Sequence, residues 1–563
     1  MRSFFVFYSF ELPNLVYTLI MFYNITMDIL GFRGEFSASP FTEAQQAQIE
    51  AISHQPIAAD TEKVSLIIGQ GALEAAVPHA VFTGEKNVAE FELTSDFIPQ
   101  NASLLITGKG WDPAIKKRLA ASLVGGASQG SSGYASQDSL EAVTGFVSLI
   151  PLPNEHRDSV SMTREDILSN SVMSGRLIQP RACLVADQRL YCVAENSVNI
   201  LGSSGDTAKI YDEAIGTGHD LSFSGDAMAI ASSDTDQIII MDRFSGEITR
   251  TISLIDHGYN LSIGFLAGTE ANGLYVFPDQ VQNLDNLRPE IAAISGLRVL
   301  LMDRLKAQKV PTREQTTHVN GVCFLEPNTL LATVFNSTDV DEFGRLVEAP
   351  GGKVILATFN TYSDSYGDTL RDELLSDSGP AWHIIENNSQ YPLPGNAGTV
   401  HRTYYCKRDN ESVVIRQVID DNNESHTSVE TVTTLVDGLR NPHSISVIKS
   451  GNEKDAALLS VANTSAGEIL YYQFHKDTRQ MEPVGSLNFR DLPGMPPDSS
   501  HWIHHIVEPT ILPSGEAVLT VFDGSRNGVH ILNLTKQQRM FIPVTQDATV
   551  YQTQLIIQEI NHE

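Results

Sequence analysis

The sequence predicts an all-β protein, a β-propeller of six or seven four-stranded blades with an N-terminal extension and long loop insertions. Three observations lead there. Short β-rich runs separated by tight turn signals fill most of the chain from residue 63 onward. A phrase made of a histidine in a polar knot, an alternating apolar run and a turn returns four times. One stretch, from His219 to Leu254, holds four short strands in under forty residues, about the length of one blade.

The 563 residues carry 68 acidic against 38 basic side chains, a formal net charge of -30. Such a surface repels phosphate backbones, so no nucleic-acid partner is expected. Four cysteines are too few for a disulfide scaffold of this size. Cys183 and Cys192 lie symmetrically about Asp187-Gln188. A two-residue turn there would set them opposite each other in a non-hydrogen-bonded pair, where either a disulfide or two packed thiols fits.

In chain order, residues 1–60 form an N-terminal extension. Its run from Phe4 to Phe22 is apolar but interrupted by Glu11 and Pro13, so no stable membrane span is expected. The location this favours is cytoplasmic, or secreted or periplasmic if the run is an export signal. Residues 41–54 read as a helix started by Thr42. The propeller then occupies 61–563, with insertions near 110–175, 284–316 and 360–425. Val64–Ile68, Val88–Leu93 and Ala102–Thr107 read as its first strands, and the Gly/Ser-rich stretch 121–139 as a loop.

Strands resume at Ala182–Val185 and Leu190–Val193. After His219 come Asp220–Phe223, Ala227–Ser232, Gln237–Met241 and Glu247–Leu254. Leu297, Leu300, Leu301 and Leu305 share one helical face within 284–310. The units after His318, His443 and His505 repeat the strand pattern. The last run, Val550–Ile557, lacks a unit of its own and is expected to close the ring on the first blade.

In a propeller the first strand of each blade lines the axis, so a residue just before it stands at one mouth. His219, His318, His443 and His504 or His505 occupy that place in four units. Neighbours on a strand face opposite ways, so His504 and His505 cannot both face the axis. Converging imidazoles suit general-base and nucleophilic work, giving His318, Asn320, His443, His219 and His505 as catalytic candidates. They also suit a divalent metal ion, with His219, His318, His443 and His505 as ligands. Asp220, Arg440, Ser444 and His504 are the candidates for holding a small-molecule substrate, Arg440 as a cation for an anionic group. Asn320 is expected to donate to a developing oxyanion. Glu508 and Asp523 are further carboxylates near the fourth phrase.

Two resemblances follow from these residues. His318-Val319-Asn320-Gly321, Gly351-Gly352-Lys353-Val354, Gly438 to Ser444, and Asn463 to Ile469 resemble the ordered phrases of a bacterial propeller family of unknown function. That likeness implies a fold and no reaction. His219-Asp220, His318-Val319-Asn320 and Val521-Phe522-Asp523-Gly524 resemble, more distantly, the arylsulfotransferase propellers. That likeness implies six blades and transfer of a sulfuryl group through a histidine. The position where that family uses Arg holds Asn336-Ser337 here, a departure at the sulfate site. The reading is therefore a propeller enzyme with an axial histidine pocket, acting by group transfer or hydrolysis on a small organic substrate. The alternatives are a non-catalytic binding propeller and a metal-dependent axial site.

Overall fold

The computed structural model describes residues 76–111, 143–154, 160–177, 180–203, 205–233, 235–254, 256–257, 259, 318–337, 351–376, 382–385, 389–408, 410–448, 456–493, 502–503, 508–545 and 547–557. The helices expected at 41–54 and 284–310, the strand at 64–68, the Gly/Ser stretch 121–139 and both His504 and His505 lie outside the described residues.

The described chain opens on two short strands, β1 (Gly84–Asn87) and β2 (Glu92–Leu93), with Val88–Glu90 between them in a 3-10 turn. The single strand expected over Val88–Leu93 is thus broken. Asn87 caps the turn by accepting from the Ala89 N–H at 3.0 Å, a local bond that competes with strand pairing.

A first sheet holds β3 (Ala102–Trp111), β4 (Val143–Pro151) and β5 (Ser171–Leu177), with the helix α1 (Arg164–Ser169) before β5. The region 110–175, expected as an insertion, therefore supplies sheet strands. A second sheet runs β6 (Ala182–Ala186), β7 (Arg189–Ala194), β8 (Ser197–Gly202), β9 (Thr207–Tyr211). Asp187 and Gln188 both have positive φ, 47° and 56°, as a two-residue hairpin turn requires, and Cys183 faces Cys192. The Gln552 amide bonds both the N–H and the C=O of Cys183. Those groups therefore point away from Cys192, which makes the pair non-hydrogen-bonded. Both thiols are free.

The third sheet is β10 (Gly218–Ser224), β11 (Ala227–Ser232), β12 (Gln237–Asp242), β13 (Ile248–Ser253). The fourth begins with β14 (Val319–Glu326), β15 (Thr329–Ser337) and β16 (Gly351–Ser363). It continues, after the helix α2 (Asp364–Ser376), into β17 (His383–Ile385), β18 (Gln390–Leu393), β19 (Asn396–Arg408), β20 (Glu411–Asp420) and β21 (Ser425–Leu439). The stretch 360–425, expected as a loop insertion, is thus an ordered extension of the fourth sheet, in which β21 pairs with β16. Its polar residues alternate with Val and Ile in β20 and β21, the mark of a half-buried strand.

The fifth sheet is β22 (Pro442–Ile448), β23 (Ala456–Asn463), β24 (Glu468–His475), β25 (Gln480–Asn488), with β1 added in parallel to β25. The sixth is β26 (Thr510–Ile511), β27 (Ala517–Asp523), β28 (Gly528–Asn533), β29 (Gln538–Pro543), with β2 added to β29. The last strand, β30 (Ala548–Ile557), pairs with β3 and so joins the end of the chain to the first sheet, as expected.

Six apolar clusters tie each sheet to the next. Met173 and Leu190 join first to second, Tyr191 and Ile230 second to third, Ile240 and Ala332 third to fourth. Leu331 and Val461 join fourth to fifth, Ile469 and Leu519 fifth to sixth, Phe522 and Leu104 sixth back to first. Adjacent residues serve opposite neighbours: Ala332 faces the third sheet and Leu331 the fifth. That is the two-residue period of a strand buried on both faces. The arrangement is all-β and propeller-like. Among the described residues no helix is long and apolar enough to cross a membrane.

Candidate functional site

The first strands of the third, fourth and fifth sheets run side by side. Asp220 in β10 accepts from the Val322 N–H of β14 at 3.1 Å, and Ser222 accepts from the Phe324 N–H at 3.0 Å. A Cβ on Gly321 of β14 would stand 2.8 Å from Ile445 N and from the Ser444 Cα, so β22 is equally close on the other side. Only glycine leaves room for that approach.

Each of these strands is irregular at its start. The pairing of β10 with β11 shifts between Gly218 and Asp220, that of β14 with β15 between Val319 and Gly321, and that of β22 with β23 between Pro442 and Ile445. Such bulges re-aim a side chain out of the ladder. The residues at these shifts are His219, Asn320, and His443 with Ser444. In the sixth sheet Ile503 bridges Asp523, the place that Gly218, Val319 and Pro442 hold in the other three.

This register corrects the expectation of one histidine at one equivalent place. His219, Asn320 and His443 are equivalent, while His318 stands two residues earlier, level with Thr217 and Trp502. The Ser233, Phe335 and Gly524 N–H groups donate to the carbonyls of Thr217, His318 and Trp502. His318 has a left-handed backbone, φ 57°, and its N–H is held by the Asp236 carboxylate of the third sheet at 2.8 Å. Histidine is one of the few side-chain-bearing residues enriched in that region.

The two tiers still meet. The His219 ring lies 4.9 Å from His318 and 5.4 Å from His443, centroid to centroid. Phe335 stands against His318 at 5.4 Å and His443 at 5.8 Å, and Trp502 stands 5.8 Å from His443. All three histidines are buried, His219 at 1%, His318 at 6% and His443 at 3% exposure. Edge-to-face contact of this kind suits aromatic rings.

Asn320 is fully buried, and its amide nitrogen faces the Pro442 carbonyl at 3.5 Å. Its Oδ1 has no hydrogen-bond partner. Asp220 is half-buried and accepts from the Leu221 and Val322 N–H groups; burial pushes its carboxyl up to about 8 against the pull of those two bonds. Ser444 is buried at the same bulge.

Other candidates stand elsewhere. The Arg440 side chain is exposed, and its backbone N–H donates to Asn463 Oδ1 at 2.6 Å. Glu508 is exposed. Asp523 is buried against Arg526 at 2.7 Å and His530 at 3.3 Å, and with those partners its carboxyl sits low despite its burial. Among the described residues, one set of three His, Cys, Asp or Glu side chains has donor atoms all within 4.8 Å of one another. It is Asp420, Glu424 and His426 on the fourth sheet's extension, not the histidine trio.

Phe335 and Trp502 were not singled out by sequence reasoning. The signal for Trp502 was present, since it opens the phrase Trp502-Ile503-His504-His505. Phe335 lies near the end of β15 with nothing local to mark it.

No family model and no curated protein matches the chain. Among solved structures it is similar to a chain of the nidogen/laminin complex, at 9% identity over 82% of this chain and 100% of that one, TM-score 0.30. It is also similar to apo AztD from Citrobacter koseri, at 9% identity over 82% of this chain and 99% of that one, TM-score 0.24. A third is the dihydro-heme d1 dehydrogenase NirN in complex with DHE, at 10% identity over 96% and 92%, TM-score 0.26. At such scores these likenesses say nothing of what this chain binds or does.

Proposed function

We propose that the chain is an enzyme on a ring of six blades, one per sheet, whose histidine cluster carries out proton or group transfer on a small organic substrate. One observation supports this above the others: three buried histidines from three consecutive sheets, with the His219 ring in contact with both others. Imidazole gives and takes protons near neutrality, and as a nucleophile it carries a group between two oxygens. In that step an imidazole nitrogen bonds to an acyl, phosphoryl or sulfuryl centre as the bond to the leaving oxygen breaks. A second imidazole gives the leaving oxygen its proton. Water or an acceptor hydroxyl then reverses both events, returning the nitrogen and the proton. In this reading His219, whose ring lies against both neighbours, is the imidazole that passes protons to them. A metal-centred reading has less support, because among the described residues the histidine trio does not close to ligand spacing.

The test is turnover of 4-nitrophenyl acetate, phosphate and sulfate by the wild type and by His219→Asn and His443→Gln. One ester should turn over, and each variant should lose that rate by about 100-fold or more with an unchanged melting temperature. Equal rates in wild type and variants, or no turnover of any ester, would overturn the reading and leave a binding propeller.

A further inference from the structure

The proposed pocket holds one polar atom whose role the histidines do not explain. We infer that Asn320 is its specificity residue, and that Asn320 Oδ1 accepts a hydrogen bond from a neutral N–H or O–H group of the small molecule. The inference rests on the proposed pocket but not on any particular reaction there.

Three facts lead to it. Asn320 occupies the bulged position equivalent to His219 and His443, on the sheet between theirs, and those two rings stand 5.4 Å apart. Its amide has one orientation available, because the Pro442 carbonyl can only accept and so must face the nitrogen. Oδ1 is thereby turned away from Pro442, and it is fully buried with no partner. A buried acceptor left bare weakens the fold by the full loss of its hydration, so an exception of this kind calls for a reason.

The same geometry revises the role expected from sequence. The amide nitrogen that would have stabilised an oxyanion already gives one N–H to the Pro442 carbonyl, and the atom left with no partner is an acceptor. An acceptor repels anions. The only cation expected from sequence for an anionic substrate, Arg440, has an exposed side chain. The pocket's preference is therefore for a neutral N–H or O–H donor over a carboxylate.

Three probes of one shape test this: benzamide, N,N-dimethylbenzamide and benzoate, each titrated calorimetrically into the full chain. Benzamide should bind about tenfold or more tightly than its dimethyl analogue, since only it can satisfy the buried oxygen, and benzoate should bind more weakly than benzamide. Asn320→Leu should abolish the difference between the two amides. Tightest binding by benzoate, equal binding of the two amides, or binding of none of them would overturn the inference. The wild-type comparison stands alone if the variant does not fold. Discrimination among the probes without ester turnover would leave this inference standing and the proposed enzyme fallen; turnover without discrimination would do the reverse.

Discussion

At the junction of the third and fourth sheets, Glu430 is buried and fully engaged. It meets Arg416 and the Tyr391 hydroxyl directly, with Arg250 and His257 Nε2 each at 3.6 Å. Arg416 reaches on to Asp256 at 2.5 Å, Arg250 to Ser428 at 2.7 Å, and His257 Nδ1 to Ser412 at 2.9 Å. Burial alone would raise the Glu430 carboxyl, but Arg416, with His257 and Arg250, outweighs it and holds the group well below the usual carboxylate range. At the first strands of the third to fifth sheets the style is different. Rings pack on rings, a histidine takes a left-handed backbone, and an amide oxygen is left bare. A network of opposite charges that hold one another fastens the extension to its neighbour. A cluster that stops one bond short has capacity for a ligand.

The contrast can be broken most severely at Glu430. Glu430→Gln should lower unfolding stability by about 3–5 kcal/mol, read by denaturant titration, because the buried Arg250 loses its carboxylate and Arg416 is left with Asp256 alone. A loss under about 1 kcal/mol would mean the junction is not the closed network described. Next in size, Gly321→Ala puts a Cβ within 2.8 Å of the β22 backbone and should cost about 1–3 kcal/mol. It should also shift the His443 ring resonances, which Glu430→Gln should not.

Acid and base should separate the two regions by sign. Glu430 is depressed, so its contribution is present above the ordinary carboxylate value near 4.3 and is lost as pH falls below it. Asp220 is raised to about 8, so the folded state keeps a proton that the unfolded chain gives up near 3.9. Its effect is a loss of stability as pH rises from about 4 to 8. Asp220→Asn should flatten that slope and leave the acid limb unchanged, by melting temperature against pH. The smallest effect is expected at Asn320. By denaturant titration, Asn320→Leu should change stability by no more than about 1 kcal/mol, in the stabilising direction if relieving the bare oxygen outweighs losing the amide contact to Pro442.

Much of the fold could be read from local pattern. The strands from His219 to Leu254 stand within a residue or two of their expected bounds, because period-two apolar runs and Gly, Asp and Ser turns are local signals. The opposition of Cys183 and Cys192 followed from counting around one turn. Val88–Leu93 did not follow, since a side-chain cap at Asn87 overrode an alternating pattern. Nor did the extension over 360–425, in which β21 pairs with β16, β20 with β21 and β19 with β20. At the site, the histidine phrases were visible. Their equivalence was misread because a bulge adds a residue to one strand without leaving any mark in the apolar alternation.

The sequence by itself determined that this chain is all β, that its units repeat, and that histidines gather at the starts of their first strands. These are properties of neighbours along the chain. Only the tertiary structure decided which of those residues are level with one another, that Phe335 and Trp502 stand among them, and that the bare atom of Asn320 is an acceptor. Register and side-chain facing at the site depend on bonds between residues far apart in the chain, such as Asn320 to the Pro442 carbonyl, 122 positions on. No local pattern encodes the geometry of such a bond.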